Sequence, residues 1–86
     1  MTDETRSERT ARLLVARLEA VARVATQLRH AEAERLVELA SIATMRAVAL
    51  EMIREETADQ IWRDAHVRHP QLPQAPRLAL PQRLAA

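Results

Sequence analysis

The sequence has no glycine, and no proline before Pro70. Glycine and proline are the residues that most often interrupt helices and form turns. Their absence over residues 2–69 predicts a helical domain covering residues 1–69, in which any turn must be made by other residues. Four prolines then follow, at positions 70, 73, 76 and 81. Because proline removes a backbone donor and fixes φ, residues 70–86 are predicted to form an extended, proline-rich tail.

Cysteine is absent as well, which excludes disulfide bridges and thiolate metal sites. Phe and Tyr are also missing, so Trp62 is the only aromatic side chain. A folded chain of 86 residues buries only about 60–65% of its unfolded surface. Without disulfides to add stability, we expect the chain to associate with a second copy or with another protein.

The sequence also lacks the motifs of common catalytic sites, such as a glycine-rich phosphate loop or a zinc motif. Ser41 and Thr44 have no histidine base near them in sequence. His66 and His69 are spaced so that two helical imidazoles can share a metal, but a metal site needs three or four ligands. We interpret these histidines as exposed polar residues at a helix end. An enzyme is not expected, and no cofactor or metal is predicted.

A first helix is predicted from a capping box, Thr5-x-x-Glu8, in which the two side chains bind the free amides of the first turn. Glu19 and Arg23 have the i,i+4 order that favours an ion pair along the helix. Apolar residues then recur every three or four positions and form one buried stripe: Leu14, Leu18, Val21, Ala25 and Leu28.

The stripe is interrupted over residues 29–34, where Glu32 occupies the next expected apolar position. One interpretation is a stutter within a single coiled-coil-like helix, which from residue 5 to 67 would be ~95 Å long. The other is a turn near His30 that folds the chain into a helical hairpin. The hairpin is favoured because it lets a small chain bury its own stripes.

The second helical segment, from Leu36 to about Glu56, has two apolar faces, and such a helix needs two neighbours. The broader face is predicted to pack within the chain: Leu39, Ile42, Ala43, Ala47, Leu50 and Ile53. The narrower face is predicted to bind a partner: Val37, Met45, Val48 and Met52. Arg46, near the middle of the broader face, must either extend its charge into solvent or meet a carboxylate of another chain.

Two alternatives stay open for the end of the helical domain. Thr57-x-x-Gln60 is a second possible capping box that would begin a short helix, or the helix continues to His66. Trp62 either anchors a partner or is covered by the returning tail. The tail itself is unusually apolar for a spacer and carries candidate contact residues, Leu72, Leu78 and Leu80.

These patterns predict an all-α protein that acts by protein–protein contact, as an adaptor, assembly or regulatory subunit. The most apolar stretch is too polar to span a bilayer and no signal peptide is recognisable, so we expect a cytoplasmic protein. The alternative function is a small DNA-associated regulator whose first-helix arginines contact phosphates. Their scatter around the helix counts against it: Arg6, Arg9, Arg12, Arg17 and Arg23.

Overall fold

A computed structural model of the chain describes residues 5–74. It contains three helices, α1 (Arg6–Ala25), α2 (His30–Ala49) and α3 (Glu55–Arg68), and no strand within that range. Every helix packs against the other two. The all-α prediction is therefore confirmed, but the fold is a three-helix bundle rather than a hairpin or a single long helix.

The start of α1 is the capping box that the sequence predicts. The Glu8 amide donates to Thr5 Oγ1 at 3.1 Å, and the Thr5 amide donates to Glu8 Oε1 at 2.8 Å. Leu14, Leu18 and Val21 are buried, as their spacing predicts. Local signals thus determine where this helix begins and which side faces the core.

The turn between α1 and α2 covers residues 26–29, as predicted for the region before His30. The amides of Gln27 and Leu28 donate to carbonyls three residues earlier, which tightens the end of α1. Arg29 is extended, and its amide donates to Glu32 Oε1 at 3.0 Å. Glu32 interrupts the apolar stripe because it caps the first turn of α2.

The second turn was not predicted at its observed position. The helix expected to run to about Glu56 ends at Ala49, and Glu51 takes a left-handed conformation with φ 56°. The amide of Glu51 donates to the Val48 carbonyl, and that of Met52 donates to the Ala47 carbonyl. This pair of bonds is the Schellman motif, which usually has glycine at the left-handed residue. The next helix begins at Glu55, not at the predicted cap Thr57.

The core is built from a few large and many small side chains. Leu18 and Val37 are its largest fully buried residues. Ala22, Ala40 and Ala65 are also almost completely buried. Because alanine occupies so little space, helix backbones can approach closely at these positions.

The chain returns to the bundle after α3. Leu72 is only 2% exposed and belongs to the same apolar core as the helices. Its amide donates to the His69 carbonyl at 2.9 Å, which closes a turn through Pro70. The first residues of the predicted tail, up to Pro73, thus pack on the helical domain.

Candidate interaction surface

Helix α2 has two apolar faces, as predicted, but the predicted sides are only partly right: Ala47 and Ile53 of the broader face are buried as expected, whereas its larger residues are not. The inner face contains Val37, and the large residues of the broader face point outward. Leu39, Ile42 and Leu50 are 43%, 42% and 63% exposed. The buried side of α2 is made mostly of small residues, Ala33, Val37, Ala40, Ser41, Thr44 and Ala47. Two helices approach this side, so small side chains pack there better than leucine and isoleucine.

We call the exposed residues along the other side the outer stripe: Leu39, Ile42, Arg46, Ala49 and Leu50. Their spacing of three and four residues places them on one side of α2. Arg46 lies in the middle of the stripe and is exposed, so its charge reaches solvent without crossing the core. The stripe is an apolar helix surface that no residue from 5 to 74 buries.

Acidic residues stand at both ends of the outer stripe. Glu38 precedes Leu39, and one of its oxygens lies 3.3 Å from Nη1 of Arg35. Glu51 follows Leu50 and is exposed in the turn. Glu38 is thus paired within the chain, and Arg46 places a positive charge at the centre of the stripe.

A cleft of about 370 Å³ lies beside the first half of α2. Four residues of α2 and one of the returning tail line it: Ala31, Glu34, Arg35, Glu38 and Gln74. The described chain thus ends beside the first half of α2. Sequence reasoning missed this proximity, because it depends on how residues 69–74 fold back.

The residues predicted to contact a partner are distributed over several environments. Val37 is completely buried inside the chain, so it belongs to the core and not to an outward face. Met45, Val48 and Met52 are half-buried, and the last two pack against the core. Leu72 is buried too, whereas Leu78 and Leu80 lie outside the described residues.

Trp62 is half-buried and packs against the core. Its indole N–H donates to Thr44 Oγ1 at 3.0 Å. The Thr44 hydroxyl donates in turn to the Ala40 carbonyl at 2.9 Å. This chain of hydrogen bonds joins α3 to α2 and gives Thr44 a structural role.

The two histidines are not simply exposed polar residues, as the sequence suggested. His66 Nδ1 lies 3.0 Å from the Trp62 carbonyl and Nε2 lies 3.0 Å from the Pro73 carbonyl. Because both oxygens are acceptors, a neutral ring donates to one of them and an imidazolium donates to both. His66 therefore connects α3 to the returning chain.

Glu19 forms contacts with the end of α3 rather than the predicted pair with Arg23. Oε2 lies 2.8 Å from Nη2 of Arg68, and Oε1 lies 2.9 Å from Nε2 of His69. Hydrogen bonds from His69 and then from Arg68 lower the pKa of the Glu19 carboxyl below its ordinary value. This cluster joins residues about fifty positions apart and fixes the start of the returning chain.

Between Thr5 and Gln74, no three His, Cys, Asp or Glu side chains are grouped closely enough to hold a metal ion. None of the described helices has the length and apolar character needed to cross a membrane. The five arginines considered for DNA contact are all exposed on α1, and their contact with phosphate stays a prediction.

No protein-family profile matches the chain, and comparisons with curated proteins and with solved structures find no match.

Proposed function

We propose that the chain is a non-catalytic helical interaction module, an adaptor, assembly or regulatory subunit, that binds a protein through the outer stripe. The observation that carries the proposal is the exposure of Leu39, Ile42 and Leu50 on a helix whose opposite side is already buried. An exposed apolar row on a small soluble domain is typical of an interaction site. The partner is a second copy of the chain or a subunit of a larger complex.

The shape of the stripe favours a helix or an extended segment as its ligand. From Leu39 to Leu50 the stripe is ~17 Å long, about three helical turns. A ligand of this kind covers apolar residues spaced at three and four positions. Arg46 in the centre can pack its aliphatic stem against the ligand and donate to a carboxylate, and arginine is frequent among interface hot spots.

The experiment compares the wild-type chain with two variants. Leu39→Glu combined with Ile42→Glu places charge in the stripe, whereas Val67→Glu places charge at a site on α3 that is 78% exposed. Circular dichroism should give the same helix content for all three proteins. Sedimentation velocity over a concentration series measures self-association, and affinity capture run in parallel on the three proteins measures hetero-association.

We expect association by the wild-type chain and by Val67→Glu, and its loss in the stripe variant. Charge buried in an apolar interface is strongly unfavourable, so the loss should be at least about tenfold in affinity. If the stripe variant associates as well as the control, or if none of the three proteins associates with anything, the proposal is wrong.

A further inference from the structure

Helix α1 carries a second row of exposed residues: Leu13, Arg17, Ala20 and Val24. At about 100° per residue, they fall within about 60° of one another around the helix. The buried side of α1 separates this row from Glu19, which contacts the end of α3. Since the helices packed against α1 are α2 and α3, the row lies on the flank of α1 next to α2.

The outer stripe lies on the flank of α2 next to α1. On the opposite flank, Glu34 and Glu38 line the cleft together with Gln74, which follows α3. The buried side of α2 stands between these acids and the leucines of the stripe, Leu39 and Leu50. The leucines therefore lie along the groove that α2 forms with α1.

The two rows form one surface, which we call the α1–α2 face. The helices run antiparallel because only the turn at residues 26–29 joins them, so their rows lie side by side. Six large apolar side chains are exposed among residues 5–74, and all except Val67 belong to this face: Leu13, Val24, Leu39, Ile42 and Leu50. Exposed apolar surface is thus concentrated on one side of the bundle, which is typical of an interaction site.

The charge in the middle of the α1–α2 face is positive. Arg17 occupies the middle of the row on α1, and Arg46 occupies the middle of the outer stripe. Neither forms an ion pair with another residue of the range 5–74. The acids lie toward the two ends of the face: Glu32, which caps α2, and Glu51, in the turn after it. A ligand that covers the face therefore has to place negative charge over its centre.

The shape of the face and the position of its charges favour an acidic amphipathic helix. The groove between two packed helices fits the side-chain ridge of a third helix, whose apolar residues cover the leucines. A second copy of the chain would bring its own central arginines against Arg17 and Arg46, and like charges across an interface are unfavourable.

Two other anionic ligands fit the face less well. A phosphate backbone pairs with arginines but offers no apolar group to the five exposed apolar side chains. A bilayer surface accepts cations at the edges of an apolar face, at the level of the headgroups, whereas Arg17 and Arg46 lie in the middle.

We propose that the α1–α2 face binds an acidic amphipathic helix of another protein, with Arg17 and Arg46 donating to its carboxylates and the exposed leucines packing on its apolar side. This inference rests on the proposed function and deepens it in two ways. The partner is a different protein rather than a second copy, and the site includes α1 as well as the outer stripe.

Binding of two synthetic peptides to the full-length chain tests the charge of the ligand. Each peptide has about three heptads with leucine at positions a and d, and it carries either glutamate or lysine at every e and g position. Charges of one sign at e and g also keep each peptide from pairing with itself. Fluorescence anisotropy of the labelled peptides measures both affinities at low salt and again at about 0.5 M sodium chloride.

We expect the glutamate peptide to bind at least about tenfold more tightly than the lysine peptide, and the difference to shrink at high salt. Arg17→Glu combined with Arg46→Glu should reverse the preference. Arg54→Glu combined with Arg63→Glu makes the same change in net charge at two exposed positions outside the face, and the glutamate peptide should stay preferred. Circular dichroism should give the wild-type helix content for both variants, because all four arginines are exposed.

Three results of the peptide measurements overturn the inference. They are no binding of the glutamate peptide up to about 1 mM, equal affinities for the two peptides, and the same change of preference in both double variants. Binding of duplex DNA or of phosphatidylserine vesicles without binding of the glutamate peptide overturns it as well, and assigns the face to another class of ligand.

Leu13→Glu combined with Val24→Glu separates this inference from the proposed function. Both residues belong to the α1–α2 face but not to the outer stripe, so this variant should lose binding as the Leu39→Glu/Ile42→Glu variant does. If only the stripe variant loses association, the outer stripe still binds a partner, and the inclusion of α1 is wrong. If the stripe variant keeps its association, the proposed function itself is wrong.

Discussion

The indole N–H of Trp62 and the hydroxyl of Thr44, eighteen residues apart in sequence, form a 3.0 Å hydrogen bond that joins α3 to α2. Thr44 is buried and also donates to the Ala40 carbonyl. The two hydrogen bonds therefore form a direct polar link between α3 and α2.

Thr44→Val keeps the shape of the side chain and removes its hydroxyl. The indole N–H of Trp62 then loses its acceptor in a half-buried position, and we expect a loss of about 1 kcal/mol in the free energy of unfolding. Urea denaturation followed by the emission of Trp62, the only aromatic residue, measures this change. Thr44→Ser, which retains the hydroxyl but loses a buried methyl group, reports the cost of lost packing alone, and a Thr44→Val variant as stable as the wild-type chain would contradict the role of the hydrogen bond.

The contacts of Glu19 with His69 and Arg68 predict how stability depends on pH. The pKa of the Glu19 carboxyl is lower in the folded chain than its ordinary value of 4.5. Its contribution to stability is therefore present above pH 4.5 and is lost as pH falls through the lower, folded pKa.

Glu19→Gln should lower stability at neutral pH and should reduce the further loss that acid causes in the wild-type chain. Urea denaturation at a series of pH values from about 7 down to about 3 measures both effects. Asp59→Asn removes an exposed carboxylate of α3 and is the matched control. If the free energy of unfolding of Glu19→Gln depends on pH in the same way as that of the wild-type chain, the contacts of Glu19 with Arg68 and His69 do not contribute to stability.

The returning chain predicts that Leu72 stabilises the fold although it follows the first proline. Leu72→Ala removes a side chain that is 2% exposed, and we expect a loss of about 2–3 kcal/mol. Leu13→Ala, at a position that is 59% exposed, should change stability by no more than about 0.5 kcal/mol. Thermal unfolding of the two variants compares them directly, and equal melting temperatures would place Leu72 outside the core.

The accuracy of sequence reasoning for this chain depends on how local each signal is. The start of α1 and its buried stripe were predictable because Thr5, Glu8 and the leucines interact within a few residues. The inward side of α2 was not predictable from size alone. Leu39 and Ile42 are larger than Ala40 and Ser41, yet the close approach of two other helices selects the small residues for the core.

Contacts between distant residues set the remaining features. Glu19 could not be assigned to His69 from sequence, because the two residues are fifty positions apart and the nearer Arg23 has a favourable spacing. The outer stripe follows from the outward position of Leu39, Ile42 and Leu50, which only the three-dimensional packing shows. The presence of two apolar faces on α2 was nevertheless predictable from the spacing of its apolar residues.

Glu51 provides the last prediction, because it occupies a left-handed conformation that favours glycine. The left-handed backbone costs a non-glycine residue roughly 1–2 kcal/mol, and a glycine at this position avoids that cost. Part of the resulting gain in stability is lost, because glycine also increases the conformational entropy of the unfolded chain. We expect Glu51→Gly to stabilise the fold by about 0.5–1 kcal/mol, which for a domain of this size raises the melting temperature by about 2–8 °C.

Glu51→Ala separates the backbone effect from the loss of the carboxylate, since it removes the charge and keeps the Cβ atom. It should leave stability close to that of the wild-type chain, while the β-branched variant Glu51→Val should lower it, because branching increases the crowding at positive φ. Thermal unfolding followed by circular dichroism gives the melting temperatures of the four proteins. We expect the highest value for Glu51→Gly, intermediate values for the wild-type chain and Glu51→Ala, and the lowest value for Glu51→Val. If glycine is the least stable of the four, α2 continues past Ala49 in solution, and the turn that leaves Leu50 exposed at the end of the outer stripe does not form.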